Sequence, residues 1–403
     1  MGKILVIGGN IHSLVHFRGD MMKKMLLEGH EVFAMAPETD LEGEKDVRLT
    51  QSVAARLQTI GVPYFPIPLN RTGINPFRDL HSLFYLTRKI HELKPDVVLS
   101  YTMKPAIYGS LAARIAGVGN SFSMITGLGY VFTGETLRRK MLLNIVSFLY
   151  KVALGFNQKV YFMNPDDLEL FVKLKILPGP DKAVLINGSG VNVDHFYLAA
   201  PQTDQIVFLI IARLLWDKGI REYVNAARIL KQKYPTVCWK IVGPYDNNPS
   251  AVSRSDIQNW QQEGIIEYLG AVEDVRPYIA ESSVYVLPSY REGTPRSVLE
   301  AMSMGRPIIT TDAPGCRETV VDNINGFLVP VKDSESLAKA MEMFIQNKEL
   351  IAEMGANSRD LAEERYDVNK VNLSIIQALE LKAVRKEKLE SRIGELTEYE
   401  THI

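Results

Sequence analysis

The apolar positions of this chain gather in short continuous runs rather than in long alternations. Such runs fall at 3–7, 31–36, 63–67, 97–101 and 121–125, and again at 205–212 and 284–288. Runs of that length, rich in β-branched residues, predict parallel strands covered on both faces, where no solvent-facing side imposes a period of two. Helices or loops are expected between them, giving a strand–helix alternation that occurs twice, the second round beginning near Ile206. Polar, turn-rich stretches lie between the rounds: Asn187-Gly188-Ser189-Gly190 and Ala199-Ala200-Pro201-Gln202-Thr203-Asp204. The hinge is expected near 200. The predicted organisation is one doubly wound α/β domain over 1–198, a second over 199–370, and a helical segment over 371–403 whose end, Arg385 to Ile403, is a solvated helix or a frayed terminus.

Composition narrows this picture. At 403 residues the chain exceeds one ordinary core, and its hydrophobic fraction of 46% is that of a globular enzyme. Cys238 and Cys316 have neither paired spacing nor metal-ligating neighbours, so reduced core positions in a cytosolic setting are expected. The first residues, Met1 to Gly9, read as a strand running into a glycine turn and not as a signal peptide. No run reaches the roughly 20 apolar residues of a spanning helix. A net charge of −1 argues against general nucleic-acid binding. The segment 137–151 joins a basic start, Arg138-Arg139-Lys140, to a strongly apolar helix, which suits an anionic lipid surface and core packing equally.

Two segments carry chemistry. In Arg291-Glu292-Gly293-Thr294-Pro295-Arg296-Ser297-Val298-Leu299-Glu300, the apolar run ahead and the helical spacing after 297 place Glu292 in a turn and Glu300 on a helix. Gly293 permits close backbone approach, Pro295 suits a first helical turn, and a helix start presents N–H donors to an anion. An ionised carboxylate only accepts hydrogen bonds, so vicinal sugar hydroxyls are its natural partners. Ordinary helix-start acids, favoured by the macrodipole, remain the alternative. The second segment, Arg213-Leu214-Leu215-Trp216-Asp217-Lys218-Gly219, follows a buried strand and sets two cations where open α/β sheets bind ligands. A departing diphosphate suits them; solvated surface charges are the plainer account. Asp166-Asp167 sits at a helix start with a capping explanation, and no Asp-x-Asp occurs, so no divalent metal is indicated.

The phrases Ala212-Arg213, Lys218-Gly219, Ile241-Val242-Gly243-Pro244, Tyr268-Leu269-Gly270, Leu287-Pro288-Ser289, the Glu292/Glu300 pair, Ala301 to Pro307 and Asn325-Gly326-Phe327-Leu328-Val329 follow one another in an order and spacing that resembles the retaining enzymes of glycosyltransferase family 4. The likeness covers nearly the whole chain and, within the family, points to bacterial capsule, O-antigen and lipid-linked-glycan enzymes through His16-Phe17-Arg18, Gly127-Leu128-Gly129, Trp216-Asp217-Lys218-Gly219 and Asp246 to Pro249.

The resemblance implies the GT-B fold: two Rossmann-like domains facing a central cleft, the first for the acceptor, the second for the nucleotide-sugar donor, with a C-terminal helix crossing back to the first. It implies a metal-independent, retaining hexosyltransferase without a cofactor, using a UDP-sugar, with N-acetylgalactosamine as the first sugar expected. The acceptor implied is an undecaprenyl-diphosphate-linked saccharide, used at the inner face of the cell membrane by a cytoplasmic, peripherally bound enzyme. Arg213 and Lys218 would steady the leaving diphosphate, Glu292 the hexose hydroxyls, and Glu300 the ribose. Gly9, Gly243, Gly293, Thr294 and Pro295 would line the donor site. On the acceptor side stand Lys104, Thr126, Gly127 and His16; many relatives carry a histidine where this chain has Ile125 or Thr126. For His16-Phe17-Arg18 a partly buried histidine and a surface arginine account for the residues equally well. Two other classes remain open on sequence: a sugar-nucleotide epimerase of the same fold and a non-catalytic nucleotide-sugar binding protein.

Overall fold

A computed structural model describes residues 2–38, 47–70, 75–128, 132, 137–246, 248 and 250–379. The chain divides into two compact units, one of residues 1–186 with 371–403, the other of residues 187–370. The first unit carries strands β1 (Lys3–Ile7), β2 (Glu31–Ala36), β3 (Tyr64–Pro66), β4 (Val97–Tyr101), β5 (Asn120–Ile125), β6 (Lys159–Phe162) and β7 (Ala183–Leu185). They pair in the order β3-β2-β1-β4-β5-β6-β7, every pair parallel. The second unit carries β8 (Val207–Ile211), β9 (Cys238–Val242), β10 (Glu267–Tyr268), β11 (Val284–Leu287), β12 (Ile308–Thr311) and β13 (Gly326–Val329), ordered β10-β9-β8-β11-β12-β13 and again all parallel.

Each sheet is doubly wound, as the continuous apolar runs predict. β4 and β11 are buried at every residue, which is why their sequences show no alternation. The strand order reverses between β1 and β4 in the first sheet and between β8 and β11 in the second, so each unit has one switch point at the carboxyl ends of its central strands. Helix starts carry their own signals. Asn10 and Asn164 accept from the backbone N–H three residues on, and Ser253 with Asp256 forms a capping box.

The unit boundary falls at Ile186/Asn187, ahead of the hinge expected near 200. Residues 187–198 belong with the second unit because the backbone of Val191 bonds Tyr366 (2.7 Å) and Val368 (2.9 Å), and because Phe196 is buried in the second core. Arg359 and the fully buried Arg306 then anchor this segment: Arg359 donates to the carbonyls of Val193 and Phe196, Arg306 to those of Ala199, Ala200, Ile279 and Ala280. A turn-rich composition reads as a linker when arginines elsewhere supply the donors that its carbonyls need. From Val371 the chain rejoins the first unit, where Val371, Ile375, Ile376 and Leu379 are buried with Met22, Met25 and Leu57.

Candidate functional site

In the second unit the switch point brings together the loops after β8, β11 and β12. Lys218 ends a short 3-10 turn, Trp216–Lys218, and its ammonium pairs with the Glu292 carboxylate in the loop after β11. Ser289 Oγ donates to the same carboxylate oxygen at 2.7 Å. The loop is held from both sides: Tyr290 N–H bonds Asp217 O at 2.9 Å, and Glu292 N–H bonds Pro314 O at 2.9 Å. Gly315, at φ +80°, makes this approach possible, since a Cβ there would stand 2.2 Å from Glu292 O. Both Lys218 and Glu292 are largely buried. The two residues that sequence reasoning assigned to separate tasks are therefore one ion pair, and Ser289 is a third member that it missed. Its position three residues before Glu292 was the available signal.

Arg213 follows β8 and meets Asp246, in the loop after β9, at 2.6 Å. A guanidinium has five donors, so this contact leaves it able to serve an anion as well. Gly243, expected to face a donor, is required by the protein itself: at φ +144° its Cβ would lie 1.9 Å from Ala212 O. Pro295 caps the helix Arg296–Ser303 rather than occupying its first turn. Gly293 and Thr294 precede it, and Thr294 packs against Gly188, where a Cβ would come within 2.8 Å. Glu300 pairs with Arg296 one turn earlier at 2.9 Å. Burial pushes the Glu300 carboxyl above its ordinary value, against the pull of Arg296. Beneath these loops Tyr285 is fully buried, its hydroxyl bonded to the backbone of Ile211. Cys316 is buried as expected, its thiol pushed up to about 12 by burial and by the nearby Glu292 charge, whereas Cys238 is only partly buried.

In the first unit the switch point joins Gly8-Gly9 after β1 to Thr102 and Lys104 after β4. A Cβ on Gly9 would fall 2.4 Å from Thr102 Oγ1, and Thr102 holds φ +70° and ψ 166°. Lys104 is not an exposed cation: it meets Asp79 at 2.9 Å, with side chains 14% and 8% exposed. Tyr108 bonds the same carboxylate, and burial raises its hydroxyl pKa. Thr126 and Gly127 follow β5, with Gly127 at φ +134°; Gly129 lies outside the described residues, as do Asn247 and Pro249. His16 and Arg18 do not follow the account of a partly buried histidine and a surface arginine that was open on sequence. His16 is exposed and its ring stands 5.5 Å from that of His12, while Arg18 is buried over the Tyr101 ring at 5.2 Å. Tyr101, pushed up to about 12 by burial, shares a 2.8 Å hydrogen bond with Ser13.

Among the described residues no group of three or more His, Cys, Asp and Glu side chains is placed to hold a metal ion, and no helix is long and apolar enough to cross a membrane. The helix Leu137–Gly155 packs into the first unit on one face only. Val146, Tyr150, Ala153 and Leu154 are buried, and Met141, Ile145 and Phe148 are exposed. The side chains of 137–139 lie outside the described residues.

Residues 205–347 match the family model described as Glycosyl transferases group 1, and residues 46–164 match the one described as Glycosyl transferase 4-like. An N,N'-diacetylbacillosaminyl-diphospho-undecaprenol alpha-1,3-N-acetylgalactosaminyltransferase of Campylobacter jejuni is 28% identical, over 89% of this chain and 93% of that protein. A UDP-Gal:alpha-D-GlcNAc-diphosphoundecaprenol alpha-1,3-galactosyltransferase of Escherichia coli is 26% identical, over 76% of this chain and 80% of its own length. Among solved structures, Anabaena HepE in complex with UDP and glucose matches with a TM-score of 0.71 at 18% identity, covering 95% of this chain and 100% of that one. That likeness identifies the two doubly wound units as those of the GT-B fold.

Proposed function

Because the chain belongs to glycosyltransferase family 4, we propose that it moves a hexose or N-acetylhexosamine from a UDP-sugar to an undecaprenyl-diphosphate-linked saccharide, with retention of configuration. The observation that carries this reading is the Lys218–Glu292–Ser289 cluster at the switch point of the second sheet, with Glu300 on the helix that follows. Lys218 and Arg213 supply positive charge where a diphosphate gains negative charge, which is the work that a divalent ion would otherwise do. The reaction is therefore proposed to run without metal or cofactor.

In the proposed reaction the bond from the anomeric carbon to the diphosphate oxygen breaks, and a bond to the acceptor hydroxyl oxygen forms on the same face. The acceptor's proton passes to the departing diphosphate oxygen, and UDP leaves. Glu292 accepts from hexose hydroxyls and favours the positive charge that grows on the sugar ring; Glu300 holds the ribose hydroxyls. An incoming donor competes for Glu292, and Lys218 is released towards the diphosphate. Gly9, Thr126, Gly127, His16 and Lys104 are proposed to serve the acceptor or the first unit's share of the donor. Lys104 does so only by exchanging Asp79 for a diphosphate. N-acetylgalactosamine is the first donor sugar proposed, since it is the sugar named for the Campylobacter jejuni relative. The lipid-linked acceptor supports a place at the inner membrane face.

Acceptor-dependent release of UDP, read across a panel of UDP-sugars with the lipid product weighed by mass spectrometry, tests the proposal. Activity should persist in EDTA. Glu292→Gln should lower turnover about a hundredfold or more while the fold melts normally. Isomerisation of the donor without acceptor would make the protein an epimerase, and donor binding with no turnover would make it a binding protein.

A further inference from the structure

Two helices of the first unit carry large apolar side chains on their outer faces. On Pro76–Leu93 these are Phe77 (86% exposed), Leu80 and Phe84 (68%); on Leu137–Gly155 they are Met141 (68%), Ile145 and Phe148 (65%). Spacings of three and four residues align each trio in one stripe. The opposite faces are the ones that build the core, through Leu86 and Ile90 on the first helix and Val146, Tyr150 and Leu154 on the second. These stripes are thus surplus to folding, and contiguous apolar surface of this kind in water marks a docking site.

The two helices stand on the same side of the sheet, with Met103–Ile115 packed between them and touching both. Each follows a strand of a parallel sheet, so each starts at the carboxyl edge, where the switch point and Lys104 lie. Phe77, Leu80 and Phe84 sit in the first half of their helix, on that edge, and Met141 and Ile145 in the first half of theirs, with Phe148 three residues further on. The charge around them has one sign. Leu137–Gly155 contains Arg138, Arg139, Lys140 and Lys151 and no Asp or Glu. On Pro76–Leu93 the acids are engaged: Asp79 turns inward to Lys104, and Glu92 is held by Arg88 and Lys89. Exposed Arg78, His81 and Lys140 flank the apolar stripes.

We propose that these two helix faces form one surface that docks on an anionic phospholipid bilayer, with the aromatic and aliphatic side chains entering the acyl boundary and the basic residues meeting lipid phosphates. Docking sets the carboxyl edge of the first sheet against the headgroups, where the diphosphate of a polyprenyl-linked acceptor emerges. Asp79, between Phe77 and Leu80 in sequence, ties the docking helix to Lys104 through their ion pair. The proposal deepens the reading of the protein as a transferase on lipid-linked saccharides and rests on it for the identity of the partner.

Sedimentation of the full chain with vesicles tests it. The wild type should partition onto vesicles of phosphatidylglycerol and phosphatidylcholine, weakly onto phosphatidylcholine alone, and less as salt rises. The pairs Phe77→Ser/Phe84→Ser and Ile145→Ser/Phe148→Ser should each reduce partitioning about tenfold or more, with melting curves unchanged because all four side chains are exposed. Unaltered partitioning in both pairs, or no binding of the wild type to anionic vesicles, overturns the proposal. So does light scattering that shows the wild type dimeric and both variants monomeric, since a second copy then covers the surface. UDP release with a short-chain, water-soluble acceptor separates the two readings. Release without vesicle binding defeats docking alone; vesicle binding that follows the pattern above without release supports docking and counts against the transferase.

Discussion

Glu300, proposed to hold a ligand, is a residue whose burial costs stability. Its folded-state pKa is raised above 4.5 by burial, so the folded protein holds the proton more tightly than the unfolded chain does. The stability this contributes is complete below the unfolded value and is lost as pH rises through the folded one. At pH 8 the wild type therefore carries the cost of a buried carboxylate. Glu300→Gln should melt higher than wild type at pH 8, by a margin that shrinks in acid, while the KM for the donor rises about tenfold. Equal margins at both pH values would remove the physical basis of this claim. The pairing of Glu300 with Arg296 was legible as an i, i+4 pair on a helix. The pairings of Lys218 with Glu292 and of Lys104 with Asp79 were not, because each joins loops or helices that are remote in sequence and meet only once the sheet has formed. Exposure failed for the same reason at His16 and Arg18: helical phase gives a face, but the Tyr101 ring that covers Arg18 comes from β4.

At the scale of elements, strands were the most legible part. The expected 3–7, 31–36 and 97–101 coincide with β1, β2 and β4, and 63–67 contains the shorter β3. The strands β6, β7, β9, β10, β12 and β13 had no such reading, and several are only two to four residues long. The turn from β4 into its helix holds a tension that propensity did not indicate. Thr102 occupies φ +70° and ψ 166°, a region left almost entirely to glycine. Thr102→Gly should raise stability by about 1 kcal/mol, the strain relieved exceeding the entropy that glycine adds to the unfolded chain. Chemical denaturation checks it, and a destabilised variant would mean that the Thr102 side chain contributes more than its backbone costs.

Across the whole molecule, two units fold from a chain that leaves the first at Ile186 and returns to it at Val371. Ile375 is fully buried in the first unit. Ile375→Ala should cost about 2–5 kcal/mol, and hydrogen exchange should locate the loss in residues up to 186 while residues 187–370 keep their protection. A uniform loss across both units would mean that they unfold as one. UDP at a hundredfold excess over its Kd should stabilise the second unit by about 2.7 kcal/mol. The sequence by itself determined the class of fold, the two doubly wound rounds and the positions of Arg213, Lys218 and Glu292 in the turns after strands and of Glu300 on a helix. Those are consequences of hydrophobic period and local turn chemistry, which neighbouring residues encode. Only the tertiary structure decided which charges are already spent on one another, which segment the arginines 306 and 359 claim, and which helix faces remain apolar in water. Each of those depends on contacts between residues far apart in the chain, and local pattern carries no record of them.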